Sequence, residues 1–239
     1  MIKKSVDLVI PIYYRNYDEI GVSLKKIHNF FIDNLKNYNW NIIIGLNGPN
    51  KNNIFNFCKK LTSMYPRVSF KYTLTVGRGA TLNDCWINSS SDYVSYMDVD
   101  LSTDLRFFHL MIKKLDEGYD MSVGSRYLPQ SKNQRSFFRY FISKVYNHIL
   151  LRMLLDVKFT DSQCGFKSMK TSVAKKIIPL VKDINWFWDT EILYICQKKG
   201  YTLKEIPIVW NEKPNSGVKF IKTILDFVLK SFELKFREI

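Results

Sequence analysis

The sequence predicts an α/β fold in which a mostly parallel sheet carries helices on both faces. Three observations point to it. Short runs rich in β-branched and aromatic residues alternate with amphipathic stretches of helical period, and the runs end in turn-forming or charged residues. The chain is 46% hydrophobic and 24% charged over 239 residues, a composition that suits a folded domain with a substantial core.

The first strand is expected at Val6–Tyr13 (VDLVIPIY), broken near Pro11. A helix follows over Asp18–Leu35, where Val22, Leu24, Ile27, Phe30, Phe31 and Leu35 recur at near-helical spacing. Trp40–Leu46 (WNIIIGL) reads as a second strand closed by the turn Asn47-Gly48-Pro49. A helix over Asn52–Met64 and a strand near Val68–Thr73 complete a β-α-β-α-β rhythm. In such sheets ligands bind beyond the carboxyl ends of the strands, which sets Tyr13 and Asn47 on one rim. Gly77-Arg78-Gly79 opens the next helix, running to about Asn88. Paired glycines and a guanidinium at a helix start suit an anion, and they equally suit an ordinary flexible turn. The spacing is not that of a Walker A loop.

Tyr93–Thr103 (YVSYMDVDLST) is the most informative stretch. A buried strand ends in Asp98-Val99-Asp100, and on an extended backbone residues i and i+2 point the same way. Two carboxylates on one side repel unless a cation joins them, and hard oxygen ligands suit Mg²⁺ or Mn²⁺. A solvated turn after the strand is the plain alternative.

A helix over Asp104–Leu115 and a strand over Tyr119–Ser125 bring Arg126 to the same rim, where it could answer a phosphate or pair with a local carboxylate. Arg135–Leu155 reads as one long amphipathic helix in which Arg139, Ser143 and Asn147 form a polar stripe on an otherwise apolar cylinder, either sandwiched in protein or facing lipid. Thr160–Met169 reads as a turn and a strand. Asp189 and Glu191 fall at a helix start in NWFWDTEILYIC, where carboxylates are favoured for local reasons alone. Tyr201–Trp210 is a further strand. Val218–Ile239 is helical by period, with charged residues along one side and apolar ones on the others, suited to a membrane interface or to docking on the domain. Residues 1–217 are read as one catalytic domain, divided at 125/126, with 218–239 as a tail helix.

The charge is uneven. Residues 1–125 carry 15 Lys/Arg against 12 Asp/Glu, and residues 126–239 carry 21 against 10, so the second half is expected to hold something anionic. No helix-turn-helix, zinc-finger or ribonucleoprotein motif accompanies the charge, which argues against nucleic acid. Cys58, Cys85, Cys164 and Cys196 are widely spaced and suggest neither zinc nor disulfides, and no signal peptide or membrane-spanning stretch is evident, so a cytoplasmic setting is expected.

Taken in order, VIPIY, MDVDLST, VGSRY, RSFFRYF, TDSQCGFKSM, WFWDTEIL and EIPIVWNE resemble the inverting family 2 glycosyltransferases of the GT-A fold, a Rossmann-like architecture. Among these the chain is most similar to the polyprenyl-phosphate, or dolichyl-phosphate, glucosyl- and mannosyltransferases. The resemblance implies a UDP-sugar donor, an Mg²⁺ or Mn²⁺ cofactor at Asp98 and Asp100, and inversion at the sugar. It places Pro11, Tyr13, Asn47, Arg78, Asp98, Gln163 and Glu191 around the nucleotide sugar. It assigns Arg126, Arg135, Arg139, Ser143 and Asn147 to a polyprenyl phosphate acceptor. Asp100, Arg126 and Asp189 are the expected catalytic residues. Where the family commonly has Asn-Glu after the first strand and Asp-Gly-Ser after the second, this chain has Tyr14-Arg15 and Asn47-Gly48-Pro49. Contact with an anionic membrane surface on the cytoplasmic side is implied through the amphipathic segments. A hydroxyl acceptor in glycan synthesis is the alternative, and it would make Asp189 the candidate base.

Overall fold

The apolar runs form the strands expected of them in a computed structural model that describes residues 3–13, 17–48, 52–134, 136–211 and 220–239. In chain order the first elements are β1 (Ser5–Tyr13), α1 (Tyr17–Asn34), β2 (Asn39–Asn47), α2 (Asn52–Met64), β3 (Val68–Thr73), α3 (Arg78–Ile87), β4 (Tyr93–Met97) and α4 (Phe108–Asp116). They continue as β5 (Met121–Ser125), β6 (Lys132–Gln134), α5 (Phe137–Val145), α6 (Arg152–Leu155), β7 (Phe166–Lys170) and α7 (Thr171–Ile177). The last are α8 (Trp188–Lys198), β8 (Leu203–Pro207), β9 (Val209–Asn211) and α9 (Phe220–Phe236). Among the described residues seven strands make one sheet in the order β3-β2-β1-β4-β7-β5-β8.

β1 is not broken at Pro11. Its pairing with β4 spans Val6–Val9 only, so Pro11 lies where the strand has β2 alone beside it and its missing amide removes no bond to β4. Alternation along β1 divides the core. Leu8, Ile10 and Ile12 pack with α1, α2 and α4, while Val9 packs with Leu82 and Trp86 of α3 and with residues of α7 and α8.

β7 runs antiparallel to both neighbours, β4 and β5, in an otherwise parallel sheet. Its N-terminal end therefore lies at the rim where the other strands finish, and Met97, the last residue of β4, faces Phe166, the first of β7. The consequence is functional: residues 161–165 reach the Asp98 turn. A second, two-stranded sheet of β6 and β9, unforeseen in the sequence, sits beside this rim.

The helix expected over 135–155 is α5, a π-helical segment at Tyr146–Leu151 and α6 in succession. Its amphipathicity is reversed. Ser143 and Asn147 of the polar stripe are buried, whereas Phe138, Phe141, Val145, Ile149 and Met153, at steps of three and four, are exposed. α9 lies alongside, with Tyr146 and Phe227 rings 6.0 Å apart and the Tyr146 hydroxyl 3.1 Å from Ser231 Oγ. α9 is docked through buried Phe227 and Leu234, yet it exposes Leu225, Leu229, Phe232 and Phe236. Each amphipathic segment thus has one face in the core and another exposed.

Candidate active site

The rim at the carboxyl ends of β1, β2 and β4 gathers most of the expected donor-site residues. Tyr13 ends β1 opposite Asn47 at the end of β2, and the Tyr13 ring lies against Gly48, where a Cβ would come within 2.4 Å of it. Gly48 has φ +99°, so it is suited to glycine on backbone grounds too. Asn47 is buried; its Nδ2 donates to Ile12 O at 3.3 Å and its Oδ1 accepts from Gly77 N at 3.4 Å, tying three rim segments together. Pro11 is buried in the strand behind them.

Arg78 occupies the centre. Its Nη2 donates to Asp98 Oδ1 at 2.8 Å and its Nη1 to Asp189 Oδ2 at 2.5 Å. Its guanidinium lies 4.9 Å from the ring centres of both Tyr96 and Trp186. Gly77 and Gly79 do not make room for an anion directly. A Cβ on Gly77 would meet Ile184 O at 2.2 Å and one on Gly79 would meet the Trp188 ring at 2.7 Å, so the glycines admit the 184–188 segment.

Asp189 is wholly buried and ionised. Its Oδ1 takes Lys167 Nζ at 2.7 Å and the Tyr96 hydroxyl, and its Oδ2 takes Arg78. Burial alone would raise its carboxyl; the Arg78 and Lys167 charges outweigh this and hold it below the usual range. Lys167 also donates to Cys164 O at 2.6 Å, and its burial in a strand is explained by this pairing.

Asp98 keeps a side chain that is 40% exposed. Desolvation raises its carboxyl, the Arg78 charge opposes the rise, and the Asp100 and Asp189 charges add to it. Its Oδ2 lies over Gly165, where a Cβ would stand only 1.8 Å away. Asp100 is anchored by Ser102, whose amide donates to Oδ1 at 2.9 Å and whose hydroxyl donates to Oδ2 at 2.7 Å. Mutual repulsion of two hard-oxygen groups, one of them open to solvent, fits an Mg²⁺ or Mn²⁺ ion. Among the described residues no group of three or more His, Cys, Asp or Glu is gathered to hold a metal.

Several residues expected on the acceptor side are held by the protein itself. Arg126 is 8% exposed and pairs with Asp161: Nε to Oδ2 at 2.7 Å, Nη2 to Oδ1 at 2.8 Å, and the Arg126 amide to Oδ2 at 3.0 Å. It also lies over Trp210 at 5.3 Å, and the local ion pair is the partner it has in this structure. Asn147 is 2% exposed, with Nδ2 on Ser143 O and Oδ1 accepting from Ser162 N; it fastens the 161–165 loop rather than facing a ligand. Glu191 is not at the rim contacts either. Its oxygens accept from the amides of Lys182 and Asp183 and pair with Arg237. Ser143 is buried, Arg139 is half-buried on α5, and Arg135 lies outside the described residues. Gln163, half-buried beside Asp161, has an Nε2 without a hydrogen-bond partner.

Several contributors were missed. Tyr96 stands two residues before Asp98 on the same strand face, which period-two reading could have found. A lysine inside the buried strand 166–170 was a signal for Lys167. Gly165 and Trp186 carry no local signal, since their partners come from β4 and α3.

A rim of parallel strand ends that presents two carboxylates beside a shared arginine is chemically suited to a phosphorylated ligand. Residues 7–178 match the model of glycosyl transferase family 2, and the chain belongs to that family. It is a glycosyltransferase of the GT-A fold. It is 34% identical over 151 residues to glycosyltransferase AglD of Haloferax volcanii, covering 63% of this chain and 24% of AglD. It is 26% identical over 205 residues to dolichyl-phosphate beta-glucosyltransferase ALG5A of Trichomonas vaginalis, covering 81% of this chain and 62% of that one. The chain thus spans less than two thirds of the length of these relatives. The Mycobacterium tuberculosis glucosyl-3-phosphoglycerate synthase bound to Mn²⁺, UDP-glucose and phosphoglyceric acid shares the fold at 12% identity, with a TM-score of 0.69 over 97% of this chain and 79% of that one. Among the described residues no helix is long and apolar enough to cross a membrane.

Proposed function

We propose that the chain transfers a hexosyl group from a UDP-sugar, with inversion, to a hydroxyl-bearing acceptor. The donor half of this reading rests on Asp98, Asp100 and Arg78 meeting at one rim. The acceptor half rests on Asp189, a carboxylate set against Arg78 at the same rim and the candidate base that a neutral hydroxyl requires. Asp98 and Asp100 would hold the divalent ion, which supplies charge neutralisation at the departing diphosphate.

The chain's own groups then act as follows. Arg78 offers a fork to the diphosphate oxygens, in competition with Asp98 and Asp189. As Arg78 turns to the donor, Asp189 Oδ2 loses its hydrogen bond and regains part of its basicity, with Lys167 and Tyr96 still holding the carboxyl down. That oxygen is the one to accept the proton of a neutral hydroxyl as it attacks the anomeric carbon. Lys167 and Tyr96 keep the carboxylate oriented through Oδ1. Gln163 Nε2 is a buried donor beside Asp161 that the protein leaves without a partner.

A second reading, transfer to a polyprenyl phosphate, is favoured by the names of relatives such as ALG5A and by the bare apolar faces of α5–α6 and α9. Exposed Lys144 and Arg152 border the first face and Lys235 the second, a combination suited to an anionic membrane surface. An already anionic acceptor needs no base, so Asp189 would remain an orienting group. Radiolabelled transfer from UDP- and GDP-sugars, with Mn²⁺ or EDTA, to 3-phosphoglycerate, simple glycosides and a short polyprenyl phosphate tests both. Metal-dependent water-soluble product supports the hydroxyl reading; product confined to the organic extract replaces it with the second.

A further inference from the structure

We infer that α9 acts as a latch on the donor site, and that Lys230 and Arg237 are positioning residues for Arg78. The link between them is the strap of residues 181–187 that precedes α8. This rests on the proposal that Arg78 receives the donor diphosphate.

The inner side of the strap is fitted to α3. Ile184 O accepts from Ala80 N at 3.1 Å, satisfying one of the amide donors that a helix start leaves unpaired. Gly77 and Gly79 leave no space between α3 and the strap, as any Cβ there would overlap Ile184 or Trp188. Trp188 Nε1 donates to Asn83 Oδ1 at 2.7 Å, a second fastening. Trp186, 49% exposed, lies with its ring centre 4.9 Å from the Arg78 guanidinium, as the Tyr96 ring does. The strap thus supplies one of the two rings that hold the guanidinium in place.

The outer side of the strap is gripped by α9. Lys230 Nζ lies 2.8 Å from Asp183 Oδ2, while Asp183 Oδ1 accepts from the amides of Asn185 at 2.7 Å and Trp188 at 3.1 Å. Arg237 Nη1 lies 2.5 Å from Glu191 Oε1, and its Nη2 donates to Leu180 O at 3.2 Å. Glu191 in turn holds the Lys182 and Asp183 amides at 2.9 and 2.7 Å. Every carboxylate that shapes the strap is therefore charge-matched from α9. Without those cations, Asp183 and Glu191, brought side by side by the bond from the Asp183 amide to Glu191 Oε2, would keep uncompensated charge, and the strap would lose the pairing that fixes Trp186 beside Arg78. A bidentate contact to phosphate depends on orientation, so its affinity should fall.

The test is Mn²⁺-dependent UDP binding by calorimetry on the full chain. The variant Lys230→Met/Arg237→Met is expected to bind UDP roughly five-fold more weakly, in the range of substitutions that touch neither ligand. Trp186→Leu should weaken binding similarly, and the triple variant should be no weaker than the worse of the two, because both act through one contact. Lys230→Arg/Arg237→Lys should restore binding. A merely structural role would lower the melting temperature and leave the dissociation constant unchanged, which overturns the latch. Effects that multiply in the triple variant overturn it as well. If the double variant is unfolded at the assay temperature, Lys230→Met alone decides, with unchanged binding counting against the latch. Asp100→Ala separates the two levels: loss of binding there with full binding in the latch variants refutes only the latch, whereas full binding in Asp100→Ala refutes the donor site itself.

Discussion

Arg78 and Arg126 both stand at the rim of the sheet, and the sequence offers each to a phosphate. The structure separates them. Arg126 makes a closed bidentate pair with Asp161, one carboxylate serving one guanidinium and its backbone amide. Arg78 is shared between two carboxylates, one of them the partly open Asp98, and is covered by the half-exposed Trp186. A closed pair stabilises the fold, and a divided one can be redirected by an incoming anion. The lesson is that two arginines offered alike by sequence can have resting partners that differ in number and exposure, which makes their roles separable by experiment.

The contrast can be broken by substitution. Arg126→Ala leaves Asp161 buried without its counter-charge, and about 4 kcal/mol of stability should be lost, or roughly 10 °C in melting temperature for a chain of this size. If urea denaturation gives a loss below about 1 kcal/mol, Arg126 is not structural. Asp100→Ala should reduce Mn²⁺-dependent UDP affinity by more than about a hundred-fold, since removing groups that merely support metal ligands already costs ten- to hundred-fold. Its melting temperature should barely move.

Gly165→Ala sharpens the comparison at the boundary of the two regions. A methyl 1.8 Å from Asp98 Oδ2 must displace that carboxylate or β7, costing about 1–3 kcal/mol by the scale of overpacking. Loss of metal-dependent UDP binding with a modest stability change is expected, and wild-type binding would place the ion elsewhere.

Acid sensitivity compares the two carboxylates directly. Asp161 and Asp189 are each pushed up by burial and pulled further down, the first by Arg126 and the second by Arg78 and Lys167. A depressed folded value means that the stabilisation is present above the unfolded carboxyl value of about 3.9 and is lost as pH falls through the folded one. The urea midpoint should therefore change little from this source above pH ~5 and fall steeply below pH ~4. In Asp161→Asn part of that acid slope should vanish. An unchanged slope would remove Asp161 from the cause.

The smallest expected effect concerns the bare helix faces. Phe141→Asp and Phe232→Asp lie on exposed stripes and should shift stability by no more than about 0.5 kcal/mol while reducing sedimentation with anionic vesicles. Full sedimentation of the pair of variants would remove the membrane from the account of these faces.

Much of the fold was legible because local patterns determine it: continuous apolar, β-branched and aromatic runs gave the strands, helical period gave α1, and the glycines around Arg78 marked the start of α3. The reversal of β7 was not legible, since strand direction in a sheet depends on where the preceding loop ends. At the site, Asp98, Asp100 and Arg78 could be read from a strand end and a helix start. The fates of Arg126, Asn147 and Glu191 could not, because each is decided by a partner distant in sequence, namely Asp161, Ser162 and Arg237. The polar stripe of 139–147 misled for a related reason: nothing local reveals that its hydrogen-bonding partners lie inside the protein.

The most direct measurement is calorimetric titration of UDP into the wild-type chain with Mn²⁺, with EDTA, and with Mn²⁺ in the Arg78→Ala and Arg126→Lys variants. Binding that requires Mn²⁺, collapses in Arg78→Ala and survives in folded Arg126→Lys is the expected result. Binding that ignores Mn²⁺, or that survives in Arg78→Ala and collapses in Arg126→Lys, would contradict the assignment of the donor site to Asp98, Asp100 and Arg78.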